Sequence, residues 1–237
     1  MRQVPALDAP IGIVGNGRVA RHFHHYLNLL GLSVCVWSRR ASAADPPEAL
    51  ASCRTVLVLI QDAGIVPFIE AWPTLREKRL VHFSGSLVTP AADGAHPLMT
   101  FGHNLYDLAT YRSIPFVLDT AGTPFRELLP DLPNPSFTIP AADRPYYHAL
   151  SVMAGNFSTM LWLKLFNELQ GLGIPASAAH PYLAGMAANL LTDAGGALSG
   201  PLSRGDVETI GANLKALEGD PFHAVYRAFV RAYAERS

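Results

Sequence analysis

Ile11-Gly12-Ile13-Val14-Gly15-Asn16-Gly17-Arg18-Val19-Ala20 decides how the rest of the chain is read. A short apolar run leads into G-x-G-x-x-A, after which Val19, Phe23, Leu27 and Leu30 recur at helical spacing. Each small residue answers a physical requirement of dinucleotide binding. Gly15 permits the tight strand-to-helix turn, Gly17 lets the backbone approach a pyrophosphate, and Ala20 lets the helix lie close on the sheet. The helix start adds unpaired N–H groups and a partial positive charge for the phosphates. Asn16, Arg18 and Val19 complete the expected cofactor-binding turn. Gly31 marks the end of that helix, and Ser33-Val34-Cys35-Val36-Trp37 reads as a second strand.

The residues after this second strand select the cofactor. A carboxylate here would accept hydrogen bonds from ribose hydroxyls and repel a 2′-phosphate, whereas this chain carries Ser38-Arg39-Arg40. Two guanidinium groups suit a 2′-phosphate, through paired charge-assisted hydrogen bonds. The expectation is therefore NADP rather than NAD.

Outward from this motif, strand and helix alternate, the pattern of a doubly wound parallel sheet covered on both faces. Thr55–Ile60 and Leu80–Gly85 are β-branched or apolar runs of buried-strand character, with a helix over Ala63–Trp72 between them. Ser86 to Arg112 reads as a long loop, and Ile114–Leu118 and Ser136–Ile139 as two further strands flanking a short helix. Beyond Asp143 the strand signal stops. Tyr146–Leu172 is apolar nearly all round and reads as one buried helix, and Phe222, Tyr226, Phe229 and Tyr233 form an aromatic stripe on a last helix. The expected fold is α/β: a Rossmann domain over residues 1–140 and a smaller all-α domain over 141–237.

Composition narrows the function classes. At 237 residues, 49% hydrophobic and 16% charged, the chain can bury a sizeable core. A formal net charge of −1 gives no global attraction to nucleic acid or to an anionic membrane. Two cysteines, Cys35 and Cys53, form neither a disulfide framework nor a C-x-x-C site. With no signal-like N-terminal pattern and no run of membrane-spanning length, a soluble cytoplasmic protein is expected. His22, His24 and His25 fall on one helix without a further ligand pattern, so a solvated face is expected there and no metal. Apolar surface in excess of what a small helical domain can bury predicts a homodimer.

Hydride transfer needs a proton-handling group beside the nicotinamide. Gln61 and Asp62 follow the third strand and Ser84 and Gly85 the fourth, where a crevice at the carboxyl ends of the strands is expected. Asp62 also suits a helix cap. His96, fixed by Pro97, lies in the long loop; His148 and Asn156 interrupt the apolar Tyr146–Leu172 stretch about two turns apart. Buried polar groups cost about 1–3 kcal/mol each when unpaired, so such residues should face partners or a pocket. Arg204 stands near a helix start and suits a carboxylate or phosphate. Ser203 and Asp206 have capping-box-like spacing for the helix that follows.

Together Gly15-x-Gly17-x-x-Ala20, Ser84-Gly85, His96-Pro97, Tyr147-His148-Ala149 with Asn156, and Gly200-Pro201-x-x-Arg204-Gly205-Asp206 resemble a bacterial family. It comprises Rossmann-like oxidoreductases with a C-terminal helical domain of unknown function, related to ketopantoate reductase and the 6-phosphogluconate dehydrogenase group. The resemblance implies a nicotinamide site between the two domains. It also carries a departure. The wider group has a catalytic lysine four residues before the asparagine, where this chain has Val152; Lys164 lies two turns beyond Asn156. Three functions stay open on these residues. One is an NADPH-dependent reductase of a small carboxylate-bearing carbonyl compound, for instance the 2-oxo acid ketopantoate. There His148 or His96 would supply the proton, Asn156 would orient the substrate and Arg204 would hold its carboxylate. The others are a non-catalytic NADP(H)-binding redox sensor and an imine or pyrroline reductase.

Overall fold

The structure, a computed structural model, describes residues 9–236. They fall into two compact units, Met1–Met160 and Leu161–Ser237.

The first unit is built on a sheet with order β2-β1-β3-β4-β5-β6-β7. Its strands are β1 (Ile11–Val14), β2 (Val34–Trp37), β3 (Thr55–Val58), β4 (Arg79–His82), β5 (Asp93–Pro97), β6 (Phe116–Asp119) and β7 (Ser136–Ile139). The first helices between them are α1 (Arg18–Leu29), α2 (Pro46–Ala49) and α3 (Asp62–Ala71). Further along come α4 (Leu108–Ser113) and α5 (Phe125–Leu128), and α6 (Arg144–Val152) follows the sheet. The chain passes from β1 outward to β2 and then returns to place β3 on the other side of β1. That reversal opens a crevice at the carboxyl ends of the strands, the usual ligand position in such sheets.

Helical periodicity explains the packing. α1 buries Ala20, Phe23, Tyr26 and Leu27 against Ile13, Leu57, Val81 and Phe116, while Ile65 and Ile69 of α3 pack with Val14, Val56 and Val58 in a second cluster. Burying each of these larger apolar side chains contributes about 1.5–3 kcal/mol before conformational entropy is counted. Gly31 takes φ +77° after α1 and its N–H bonds to the Asn28 carbonyl, the helix stop expected of glycine.

Several expectations are corrected. The long stretch from Ser86 to Arg112 contains β5 and part of α4, so His96 lies on a strand, not a loop. The sheet is mostly parallel, but β5 and β6 run antiparallel. Asp93-Gly94-Ala95-His96-Pro97 has neither apolar alternation nor β-branched residues; neighbouring strands on both sides impose its extended form. His22 is buried, not solvated: its Nε2 lies 3.1 Å from the Gly102 carbonyl, and Tyr111 Oη lies 2.9 Å from its Nδ1. Phe101, Tyr106 and Tyr111 surround its ring, which anchors the segment after β5 to α1.

The stretch expected as one buried helix is broken and largely exposed. α6 passes into a π-helical turn, Met153–Phe157, before α7 (Ser158–Gly171). Met153, Phe157 and Leu163 are each about half exposed. The compact units part after Met160, where a boundary near 139–143 was expected, because α6 sends Arg144 and His148 into the first unit.

The second unit is helical, with α8 (His180–Thr192), α9 (Pro201–Arg204), α10 (Val207–Ala216) and α11 (Phe222–Ala234) following the greater part of α7. Trp162 packs edge-on to Tyr182, and Lys164 Nζ bridges Asp220 at 2.5 Å and Glu168 at 2.9 Å beneath the Phe222 ring. Lys164 is thus committed to tying α7 to the start of α11. Asp206, whose carboxylate accepts from the Thr209 N–H at 3.0 Å, is itself the cap of α10. Ser203 instead donates to the Gly200 carbonyl, which corrects the expected capping box. Among the described residues only Ala179 of this unit is buried. No helix among the described residues is long and apolar enough to cross a membrane.

Candidate cofactor and active site

A cleft of about 890 Å³ runs along the carboxyl ends of β1, β2, β3 and β4. It is lined by Gly15, Asn16, Gly17, Arg18 and Val19, by Ser38, Arg39 and Arg40, and by Gln61, Asp62 and Ser84. Eleven of the twelve residues expected to hold a cofactor therefore meet in one place; Gly85, which follows Ser84, does not line it.

The two glycines of the first turn have different reasons to be there. Gly15 sits at φ +124°, and a Cβ on it would stand 2.3 Å from the Leu59 carbonyl oxygen, so the fold itself demands glycine. Gly17 has an ordinary φ of −68°, and a Cβ on it would meet no atom within 4 Å. Among the described residues no atom crowds position 17; the space it keeps clear lies in the cleft. Gly17 also caps α1 without a side-chain hydrogen bond, and no acidic residue occupies the first turn. The leading N–H groups of a twelve-residue helix thus face the cleft without a competing anion.

At the β2 end, the Ser38–Ser42 turn is pinned. The Ser42 N–H donates to the Ser38 carbonyl at 3.0 Å, Ser42 Oγ accepts from the Ser38 N–H at 3.0 Å, and Trp37 Nε1 donates to the Ala44 carbonyl. Arg39 and Arg40 project from this fixed turn, exposed and in no ion pair among the described residues. Two guanidinium groups at one end of the cleft, without an ion-pair partner among the described residues, have the chemistry a 2′-phosphate needs.

At the other end, Asp62 opens α3 rather than capping it. Ser84 Oγ donates to its carboxylate at 2.5 Å and accepts from the Leu87 N–H at 3.0 Å, while the Ser84 carbonyl accepts from buried Arg144 at 2.8 Å. Immediately beyond, a Cβ on Gly85 would lie 2.2 Å from His148 Nδ1, so the glycine is what lets the His148 ring seat against β4's exit. His96 stands with its ring perpendicular to that of His148, centroids 5.8 Å apart, and its Nδ1 is 2.7 Å from Tyr147 Oη. Burial, with His148 and Arg144 nearby, pushes the His96 pKa down to about 4, so the imidazole is neutral at physiological pH. Burial likewise holds the Tyr147 hydroxyl above its usual range.

Nearby lies a third histidine that sequence reasoning did not single out. His82, buried on β4, accepts from the Ser84 N–H at Nδ1 and has its pKa lowered to about 4 by burial and by Arg144. Arg144 was also missed, and Tyr147 appears in the sequence reading only as part of a motif, without a role. Position 144 reads as a charged helix start, and only the three-dimensional packing shows it buried beside β4 and β5.

The remaining expected residues are less closely gathered. Asn156 lies in the π-helical turn of the first unit and is exposed, and Arg204 ends the short α9 of the second unit, also exposed. Among the described residues no group of three or more histidine, cysteine, aspartate or glutamate side chains is arranged to hold a metal.

Comparisons with known proteins agree with this architecture. The profile of a family described as Domain of unknown function (DUF2520) matches residues 119–233. No curated protein matches the chain by sequence. Among solved structures, the chain is similar to a provisionally named NADP oxidoreductase from Bacteroides fragilis, at 21% identity and a TM-score of 0.78, covering 97% of this chain and 99% of that one. It is also similar to a Streptomyces aurantiacus imine reductase, at 18% identity and TM-score 0.62, over 95% and 93% of the two chains. A third is pyrroline carboxylate reductase from Plasmodium falciparum, solved with NADP, at 13% identity and TM-score 0.61 over 97% of each. At such identities the likeness establishes the shared fold.

Proposed function

We propose that the protein is an NADP-dependent oxidoreductase that reduces the C=O or C=N bond of a small molecule. The observation that carries this reading is Gly17: a glycine that no described residue crowds, at the foot of a helix without a side-chain cap, in a cleft also lined by two arginines in no ion pair among the described residues. Similarity to structures named as NADP oxidoreductase, imine reductase and pyrroline carboxylate reductase supports the same class.

In this reading the N–H groups at the start of α1 hold the pyrophosphate and Arg39 and Arg40 the 2′-phosphate. The bound cofactor supplies a hydride. The chain's own residues hold the substrate and supply hydrogen bonds at its reacting oxygen or nitrogen. His148, set against Gly85 just after Ser84, and His96, whose ring lies 5.8 Å from that of His148, are the candidates for that contact. Asn156 and Arg204 are proposed as substrate residues, Arg204 for a carboxylate. A 2-oxo acid such as ketopantoate is the first substrate class to try, and cyclic imines are the second, favoured by the named structural neighbours.

We further propose a homodimer. Leu172, Tyr182, Leu191, Val207 and Phe229 of the helical unit are 49–89% exposed, more apolar surface than a lone domain commonly leaves in water. The deciding experiment for function is NADPH oxidation measured against panels of 2-oxo acids and cyclic imines. Saturable turnover of a member of either panel is expected. Tight NADPH binding with turnover of none would make the protein a cofactor-binding sensor instead.

A further inference from the structure

The Tyr147–His96 pair determines more than the position of a ring. Tyr147 lies on α6 and His96 on β5, and the contact between Oη and Nδ1 is 2.7 Å. Two proton arrangements give that distance: the phenol donates to an unprotonated Nδ1, or a protonated Nδ1 donates to the phenol oxygen. The second would pass the half-buried tyrosyl hydrogen to the Ser151 hydroxyl, the other side chain that hydrogen-bonds the phenol, and would leave the imidazole lone pair on Nε2. An imidazole nitrogen is also a better acceptor than a phenol oxygen. The first arrangement satisfies both groups.

We infer that Tyr147 is a positioning residue that locks His96 in the tautomer with its proton on Nε2, making His96 a neutral hydrogen-bond donor toward the substrate. His96 Nε2 makes no hydrogen bond to the protein among the described residues, and it is not among the buried atoms left without a partner, so it keeps access to the outside of the cluster. His148, whose buried Nδ1 lies against Gly85, walls one side with its ring at a right angle. Asp62 and Arg144 also bear on His96 and oppose one another in sign, so neither charge dictates protonation.

The inference rests on the reductase reading for its chemistry and narrows the substrate class. A neutral Nε2–H offers a hydrogen and no lone pair, so it matches a substrate whose reacting heteroatom carries a free lone pair: a carbonyl oxygen or an unprotonated imine nitrogen. A permanently charged N-alkyl iminium has no acceptor to offer it. The depressed pKa of His96 is consistent with a donor that remains neutral across the physiological range.

The test uses the full chain labelled with ¹⁵N-histidine, with His96→Gln to assign its resonances among the nine histidines. Long-range ¹H–¹⁵N spectra of the unaltered protein should show His96 as the Nε2–H tautomer, and Tyr147→Phe should turn it into a mixture. Phe keeps the ring, so urea unfolding of the variant is expected within about 1 kcal/mol of the parent. With a substrate from the proposed panels, Tyr147→Phe should lower kcat by about 10- to 100-fold with the KM for NADPH unchanged. An Nδ1–H tautomer in the unaltered protein, or one that Tyr147→Phe leaves alone, overturns the inference. So does unaltered kcat alongside a changed tautomer. Absence of any turnover by the unaltered protein would instead defeat the reductase reading, and the spectra would still decide the tautomer.

Discussion

Replacing Gly15 and Gly17 separately by alanine should separate folding from binding at a single turn. At position 15 the added methyl group meets the Leu59 carbonyl oxygen at 2.3 Å, and φ is +124°, a region of backbone space that L residues rarely occupy. The conformational cost alone is about 1–3 kcal/mol, and displacing the Leu59 carbonyl just after β3 adds to it. Against a typical stability of about 5–15 kcal/mol, Gly15→Ala should lose about 3 kcal/mol or more. At position 17 φ is −68° and the methyl group meets nothing within 4 Å. Gly17→Ala should therefore stay within about 1 kcal/mol of the parent, the gain from restricting the unfolded chain offsetting alanine's poorer fit at a helix N-cap. Its cost appears only with the ligand, as weaker NADPH binding by about tenfold or more, equivalent to about 1.4 kcal/mol. Urea unfolding with and without NADPH reads both quantities. If Gly17→Ala binds NADPH as tightly as the parent, the space above residue 17 is not where the pyrophosphate approaches, and the cofactor assignment loses its main support.

Three further outcomes follow from the same geometry. His82 is neutral in the fold, with a pKa of about 4 against an ordinary 6.5, so the unfolded chain binds the additional proton between these values. Its contribution, about 3 kcal/mol, is fully present above pH 6.5 and is lost as the pH falls toward 4; unfolding of His82→Gln across that range should show a shallower decline. Gly85→Ala should displace the His148 ring, which a Cβ would approach to 2.2 Å at Nδ1, and cut turnover while NADPH affinity changes by less than about twofold. Light scattering at micromolar concentration should give twice the chain mass of 25.5 kDa, and a monomer would refute the proposed dimer.

Legibility in the sequence followed how local the cause was. The β1 turn, the stop at Gly31 and the arginines after β2 are set by residues adjacent in sequence, and they stand where their spacing placed them. β5 was missed because its extended form comes from β4 and β6 and not from Asp93-Gly94-Ala95-His96-Pro97 itself. His22 was misplaced because its partners lie 80 and 89 residues away, and polarity alone suggests solvent. The Tyr147–His96 contact spans 51 residues and leaves no local trace. Apolar content along Tyr146–Leu172 predicts a buried helix, whereas much of the stretch is exposed, because composition does not say whether the same chain supplies the cover.

Calorimetric titration of the full chain with NADPH and with NADH reads cofactor binding at the cleft itself. The account predicts one NADPH per chain, bound at least about tenfold more tightly than NADH, a difference of about 1.4 kcal/mol. Because Arg39 and Arg40 are exposed, that preference should shrink as salt is raised, and Arg39→Ala should remove most of it. No saturable binding of either nucleotide would contradict the account, and equal affinity for both would contradict the assignment of Arg39 and Arg40 to the 2′-phosphate.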